Sequence, residues 1–96
     1  MVTWFESVHS DGTAAFVSNP APKLFEKVTI RIRMYEDAPV KHVILRSMPN
    51  GMERLDDMHV SKRENGFVYY ETTLLMNENR IRYHFYLVCE NAVYFY

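Results

Sequence analysis

From Lys27 to Tyr35 the chain alternates without a break. Val28, Ile30, Ile32 and Met34 fall on one side, and Thr29, Arg31, Arg33 and Tyr35 on the other. Successive side chains of a strand point to opposite faces, so this segment offers one face to a core and one to water. Arg80 to Cys89 repeats the pattern. Ile81, Tyr83, Phe85, Leu87 and Cys89 share one side, and Arg80, Arg82, His84, Tyr86 and Val88 the other. No helical periodicity of useful length appears elsewhere. These two segments anchor the expected core at Val28, Ile30, Ile32, Ile81, Tyr83, Phe85 and Leu87, because a slip of one residue would send each set to the wrong face.

The remaining segments read as shorter or less regular strands separated by turn residues. Trp4 and Phe5 could form a short edge strand, with a turn at His9-Ser-Asp-Gly12 and a break at Asn19-Pro-Ala-Pro22. Val40 to Met48 is a second strand, nearly all apolar or aromatic through His42-Val-Ile-Leu45, and Pro49-Asn-Gly51 ends it. Glu53 to Val60 is a weaker strand with Leu55, Met58 and Val60 as its apolar residues, followed by a polar turn over Lys62-Arg-Glu-Asn-Gly66. Phe67 to Met76 is a strand, Asn77-Glu-Asn79 a turn, and Ala92 to Tyr96 the last strand. Six or seven short strands with regular turn signals predict an all-β chain, an Ig-like antiparallel β-sandwich.

The 96 residues suit a single domain, and an aromatic content of 15% favours half-buried pleated surfaces. With 11 basic and 12 acidic residues the charge is −1. That balance lacks the cationic excess of a nucleic-acid binder or a polybasic membrane anchor. No apolar run approaches the roughly 20 residues of a membrane-spanning helix. The N-terminus lacks the basic and apolar regions of a secretory signal, and the single Cys89 cannot form an internal disulfide. Both fit a cytoplasmic location. The abrupt apolar end Val93-Tyr-Phe-Tyr96 is expected of a domain cut from a longer protein.

Five segments carry a family resemblance: Lys27-Val-Thr-Ile-Arg-Ile-Arg33, His42-Val-Ile-Leu-Arg46, Phe67-Val-Tyr-Tyr-Glu71, Arg80-Ile-Arg-Tyr-His-Phe-Tyr-Leu-Val88 and Val93-Tyr-Phe-Tyr96. With His9-Ser-Asp-Gly12 and Phe16 as a first strand region, they resemble the N-terminal Ig-like domain of neopullulanases, cyclomaltodextrinases and maltogenic amylases, also classed as a family 34 carbohydrate-binding module. The resemblance covers nearly the whole chain. It rests on a pattern of strand residues, with no catalytic signature. It implies that residues 1–96 form a non-catalytic accessory domain preceding a (β/α)8 barrel that holds all the catalytic carboxylates. It also implies a role in α-glucan approach and in forming a homodimer. A generic Ig-like or fibronectin-like interaction module is the alternative.

Sugar rings stack on exposed aromatics, which makes Trp4, Tyr35, Tyr69, Tyr70, Tyr86, Tyr94 and Tyr96 candidates. Trp4, Tyr35 and Tyr86 lead. Tyr35 and Tyr86 lie on the polar faces of their strands, and Trp is enriched in recognition surfaces. Any of these rings could instead serve cross-strand packing, and Trp4 could close one end of the core. Arg31, Arg33, Arg80 and Arg82 could meet an acidic partner surface or simply form a solvated face with Glu neighbours. No cofactor or metal is expected. His9 and Asp11 with Glu36 or Asp37 could be considered for calcium, but six to eight oxygen ligands need a denser carboxylate loop. Adjacent Asp56 and Asp57 should face opposite ways and so cannot act as an acid/base pair. His9, Ser10 and Asp11 have triad residue types but are consecutive. Cys89, on an apolar strand face, should be a buried, inert thiol.

Overall fold

The computed structural model describes residues 4–11, 13, 15–18, 25–48, 51–76 and 82–96. A 3-10 helix at Trp4–Ser7 precedes seven strands: β1 (Lys27–Tyr35), β2 (Val40–Ser47), β3 (Arg54–Asp57), β4 (His59–Glu64), β5 (Phe67–Leu75), β6 (Tyr83–Cys89) and β7 (Val93–Phe95). They form two sheets, ordered β1-β5-β4 and β3-β2-β6-β7, and every pairing is antiparallel. This is the expected Ig-like sandwich. The lead-in segment borders β1 through bridges from His9 to Arg33 and from Val17 to Ile30.

The alternation in β1 translates directly into burial: Val28, Ile30, Ile32 and Met34 are buried, while Arg31 and Arg33 are half-buried and Tyr35 is exposed. From the facing sheet come Val43 and Leu45 of β2 and Phe85 and Leu87 of β6, and β5 adds Val68 and Leu74. Burying each such side chain contributes about 1.5–3 kcal/mol, which is why the register of the two regular strands is so well defined. Tyr83 is half-buried at the start of β6. Burial raises its phenol pKa, and the nearby Asp11 charge adds to the effect. Ile81 and Arg80 lie outside the described residues. So do Gly12, the Asn19 to Pro22 break, Pro49-Asn50 and the Asn77 to Asn79 turn.

Three readings change. Trp4 and Phe5 are not a strand. The Ser7 hydroxyl donates to the Trp4 carbonyl and the Val8 N–H to the Phe5 carbonyl, winding the segment into a tight turn. The Tyr35 N–H then donates to the Ser7 hydroxyl, which pins that turn to the end of β1. Second, Glu53 to Val60 is not one strand, and Lys62 to Gly66 is not all turn. The chain leaves one sheet after Asp57, buries Met58 at the crossing, and continues as β4 in the other sheet. Leu55 and Val60 are exposed, and only Met58 of the three apolar residues is in the core. β4 is an edge strand exposed along its whole length, so charged residues sit there without desolvation. Third, Cys89 is half-buried. A bulge between Val40 and His42 breaks the ladder beside it, and the thiol lines an open concavity instead of the core.

Candidate functional site

The three leading aromatic candidates occupy three different places. Trp4 is half-buried and packs against the core. Its ring meets Tyr94 edge-on at 5.3 Å and Phe5 at 5.6 Å. Tyr94 lies opposite Leu87 and so shares its inward face. Phe5 continues the cluster to Tyr96, and Tyr96 to Phe85. Trp4 therefore closes one end of the core.

Tyr35 leaves the outer face of the first sheet, 46% exposed, and stacks on Phe67 with ring centroids 5.4 Å apart and planes 28° from parallel. Tyr86 leaves the outer face of the second sheet, since its neighbours Phe85 and Leu87 point inward. The two tyrosines thus face away from each other across the sandwich and cannot share one ligand platform.

Around Tyr86 the structure assembles a surface that periodicity alone missed. Tyr86 is in register with Ile44 of β2 and Phe95 of β7, and its ring meets Phe95 edge-on at 5.0 Å. Val93 and Val88 pair on the same face, and Leu55 lies opposite Arg46 one strand further out. Phe95 is 67% exposed and Leu55 54%. His42, His84 and Arg46 share this face, and Glu53 holds the Arg46 guanidinium at 2.7 Å. The signal was the imperfect alternation of His42-Val-Ile-Leu45. A strand apolar on both faces has something to cover on each side.

An open concavity of about 440 Å³ lies between the β1–β2 turn and the β6–β7 hairpin, lined by Pro39, Val40, Cys89, Ala92 and Tyr94. Lys41 and Glu90 pair across its rim at 3.8 Å. Tyr94 links it to Trp4.

The polar candidates are engaged in the fold. Ser10 donates its hydroxyl to the Arg31 carbonyl at 2.6 Å, so it is not presented to His9. His9 Nε2 instead meets Asp11 at 2.9 Å. Asp11 also accepts from the hydroxyl and N–H of Thr13, and these hydrogen bonds lower its pKa, with the Thr13 contribution largest. Asp56 pairs in register with inward Leu45 and Asp57 with outward Ile44, so the two carboxylates diverge. Glu36 reaches toward Arg63 at 3.5 Å. Among the described residues no group of three or more His, Cys, Asp or Glu side chains could hold a metal ion. No helix among them is long and apolar enough to cross a membrane.

No protein-family model matches the sequence, and a search of curated proteins finds no match. Among solved structures, a cyclomaltodextrinase matches 96% of this chain with a TM-score of 0.79 and 18% sequence identity. This chain spans only 16% of that one. At such identity the likeness establishes a shared fold: the β-sandwich found here also occurs as one part of a longer cyclomaltodextrinase chain.

Proposed function

We propose that this chain is a non-catalytic accessory domain of an α-glucan-cleaving enzyme of the α-amylase family. The observation that carries the reading is the near-complete match of this small sandwich to a minor part of a cyclomaltodextrinase. The resemblance of the strand segments points the same way. On this reading a catalytic barrel belongs to the same polypeptide, and the full-length enzyme is a homodimer in which this domain assists substrate approach. Maltodextrin contact is assigned to Tyr86 with Phe95, a ring pair on the outer face of the second sheet. Tyr35 and Trp4 are lesser contacts, because Tyr35 is stacked on Phe67 and Trp4 is engaged with Phe5 and Tyr94.

An edge-on ring pair without an enclosing pocket supports a dissociation constant of ~0.5–5 mM for maltoheptaose. Amide and aromatic NMR shifts during a maltoheptaose titration test this. Saturable shifts at Tyr86 and Phe95, lost in Tyr86→Ala, are expected. No change at tens of millimolar sugar would favour the second reading, a protein-interaction module without sugar binding. The exposed apolar side chains of Val93 and Phe95 beside Tyr86 favour that alternative.

A further inference from the structure

The two outer sheet faces use their cations differently. On the first sheet the Arg33 guanidinium carbon sits 4.5 Å from the centre of the Phe67 ring, and Lys62 Nζ sits 4.6 Å from the centre of Tyr69. Both cations are committed to rings of their own sheet. On the second sheet Arg46 lies on the outer face of β2, two residues from Ile44, and Ile44 is in register with Tyr86. Arg46 and Tyr86 are therefore diagonal neighbours on one face of an antiparallel pair, about 7–8 Å apart and within reach of long side chains. Leu55 and His84 flank Arg46 in register. Glu53 accepts from Arg46 Nε at 2.7 Å, and among the described residues no acceptor takes the terminal nitrogens. The Arg46 side chain is 28% exposed, so its terminal edge is open to solvent while its stem lies along the sheet. The hydrogen bond to Glu53, and after it the Tyr86 phenol, raise the guanidinium pKa, which agrees with the phenol lying close by.

An exposed ion pair of this kind contributes little stability. Its consequence is orientation: with Nε held by Glu53, the plane of the guanidinium is fixed and its terminal N–H groups have a set direction. Within an α-1,4-linked chain each glucose has its C1 and C4 positions in linkages, and its free vicinal hydroxyls are O2 and O3. Two adjacent oxygens are what the parallel N–H groups of a guanidinium can meet together. We propose that Arg46, oriented by Glu53, is the specificity-determining contact of the Tyr86 face and donates its terminal N–H groups to O2 and O3 of a glucose unit lying against Tyr86. The ring contact offers apolar area to any hexose, and the guanidinium reads which edge of the sugar faces β2. The inference rests on the α-glucan reading and adds to it the residue that recognises the hydroxyl pattern.

The test is a maltoheptaose titration followed by NMR at the Tyr86 and Phe95 rings and at the Arg46 side-chain N–H groups. Saturable shifts are expected at the terminal N–H groups, with the Nε–H held by Glu53 moving least. Arg46→Lys keeps the charge and loses the fork, and should weaken binding about fivefold, the equivalent of one net hydrogen bond. Arg46→Ala should weaken it at least as much. Unchanged amide shifts at Phe85 and Leu87 check that both variants keep the fold. The ligand is neutral, so about 0.5 M salt should leave the affinity unchanged. Sugar binding at Tyr86 with undiminished affinity in both variants overturns the role of Arg46 and leaves the α-glucan reading standing. Terminal N–H groups that stay still at saturation, or an affinity that falls with salt, overturn the hydroxyl contact in the same way. Maltoheptaose that shifts nothing at tens of millimolar overturns both.

Discussion

Trp4 meets Phe5 and Tyr94 where the two sheets open at one end of the core. Truncating a fully buried Trp costs ~3–5 kcal/mol, so for the half-buried Trp4, Trp4→Ala is expected to lower stability by about 2 kcal/mol. Urea denaturation measures this. Unchanged stability with weakened maltoheptaose binding would instead make Trp4 a sugar platform. Asp11 gives a pH signature. Its hydrogen bonds from Thr13 and His9 hold the folded-state carboxyl below 3.8. A depressed folded pKa adds stability above the unfolded value, and that stability is lost as pH falls through the folded value. Wild type should therefore lose thermal stability faster than Asp11→Asn as pH drops from about 5 to about 2. Parallel melting curves for the two proteins would refute the assignment. Neither role could be read from the residue type alone: Asp11 is held by His9 and Thr13 within its own turn, whereas Trp4 meets Tyr94, ninety residues along the chain.

The β4–β5 hairpin shows what local chemistry can and cannot specify. Asn65 and Gly66 have φ of +53° and +82°, the pair of positive values that a two-residue type I′ turn requires. Space is open around Gly66, so strain and not collision decides the outcome of a substitution there. Gly66→Ala should destabilise the chain by about 1–2 kcal/mol and speed hydrogen exchange most in β4, whose side chains are all exposed and contribute little packing. Uniform acceleration across both sheets would contradict that picture. The sequence reads as a polar turn over Lys62 to Gly66, but only Asn65 and Gly66 form the turn. Lys62, Arg63 and Glu64 are poor strand formers, and only their position on an open edge, beside the well-formed β5, makes them a strand. The same override splits Glu53 to Val60. Met58 is needed in the core at the crossing between sheets, so its neighbours serve two different sheets.

At the scale of the molecule, two sheets close over one apolar core and leave outer faces of different character: apolar and aromatic around Tyr86, cationic and aromatic around Arg33. Glycoside hydrolysis needs two carboxyl groups about 5–10 Å apart across a substrate cleft. Asp56 and Asp57 diverge, and on the proposed accessory role the isolated chain is expected to release no reducing sugar from maltodextrin. Active-site-dependent release by pure protein would refute this. Period-two alternation by itself determined the strand β1 with its inward face and the inward placing of Phe85 and Leu87 in β6, because a strand's side-chain period is set by backbone geometry and needs no knowledge of neighbours. Which strands share a sheet, which end Trp4 closes, why Tyr35 and Tyr86 face opposite ways, and which cation lies over which ring were decided only by the tertiary structure. Those properties depend on pairings between residues far apart in the chain, and the period of any one segment carries no information about its partner.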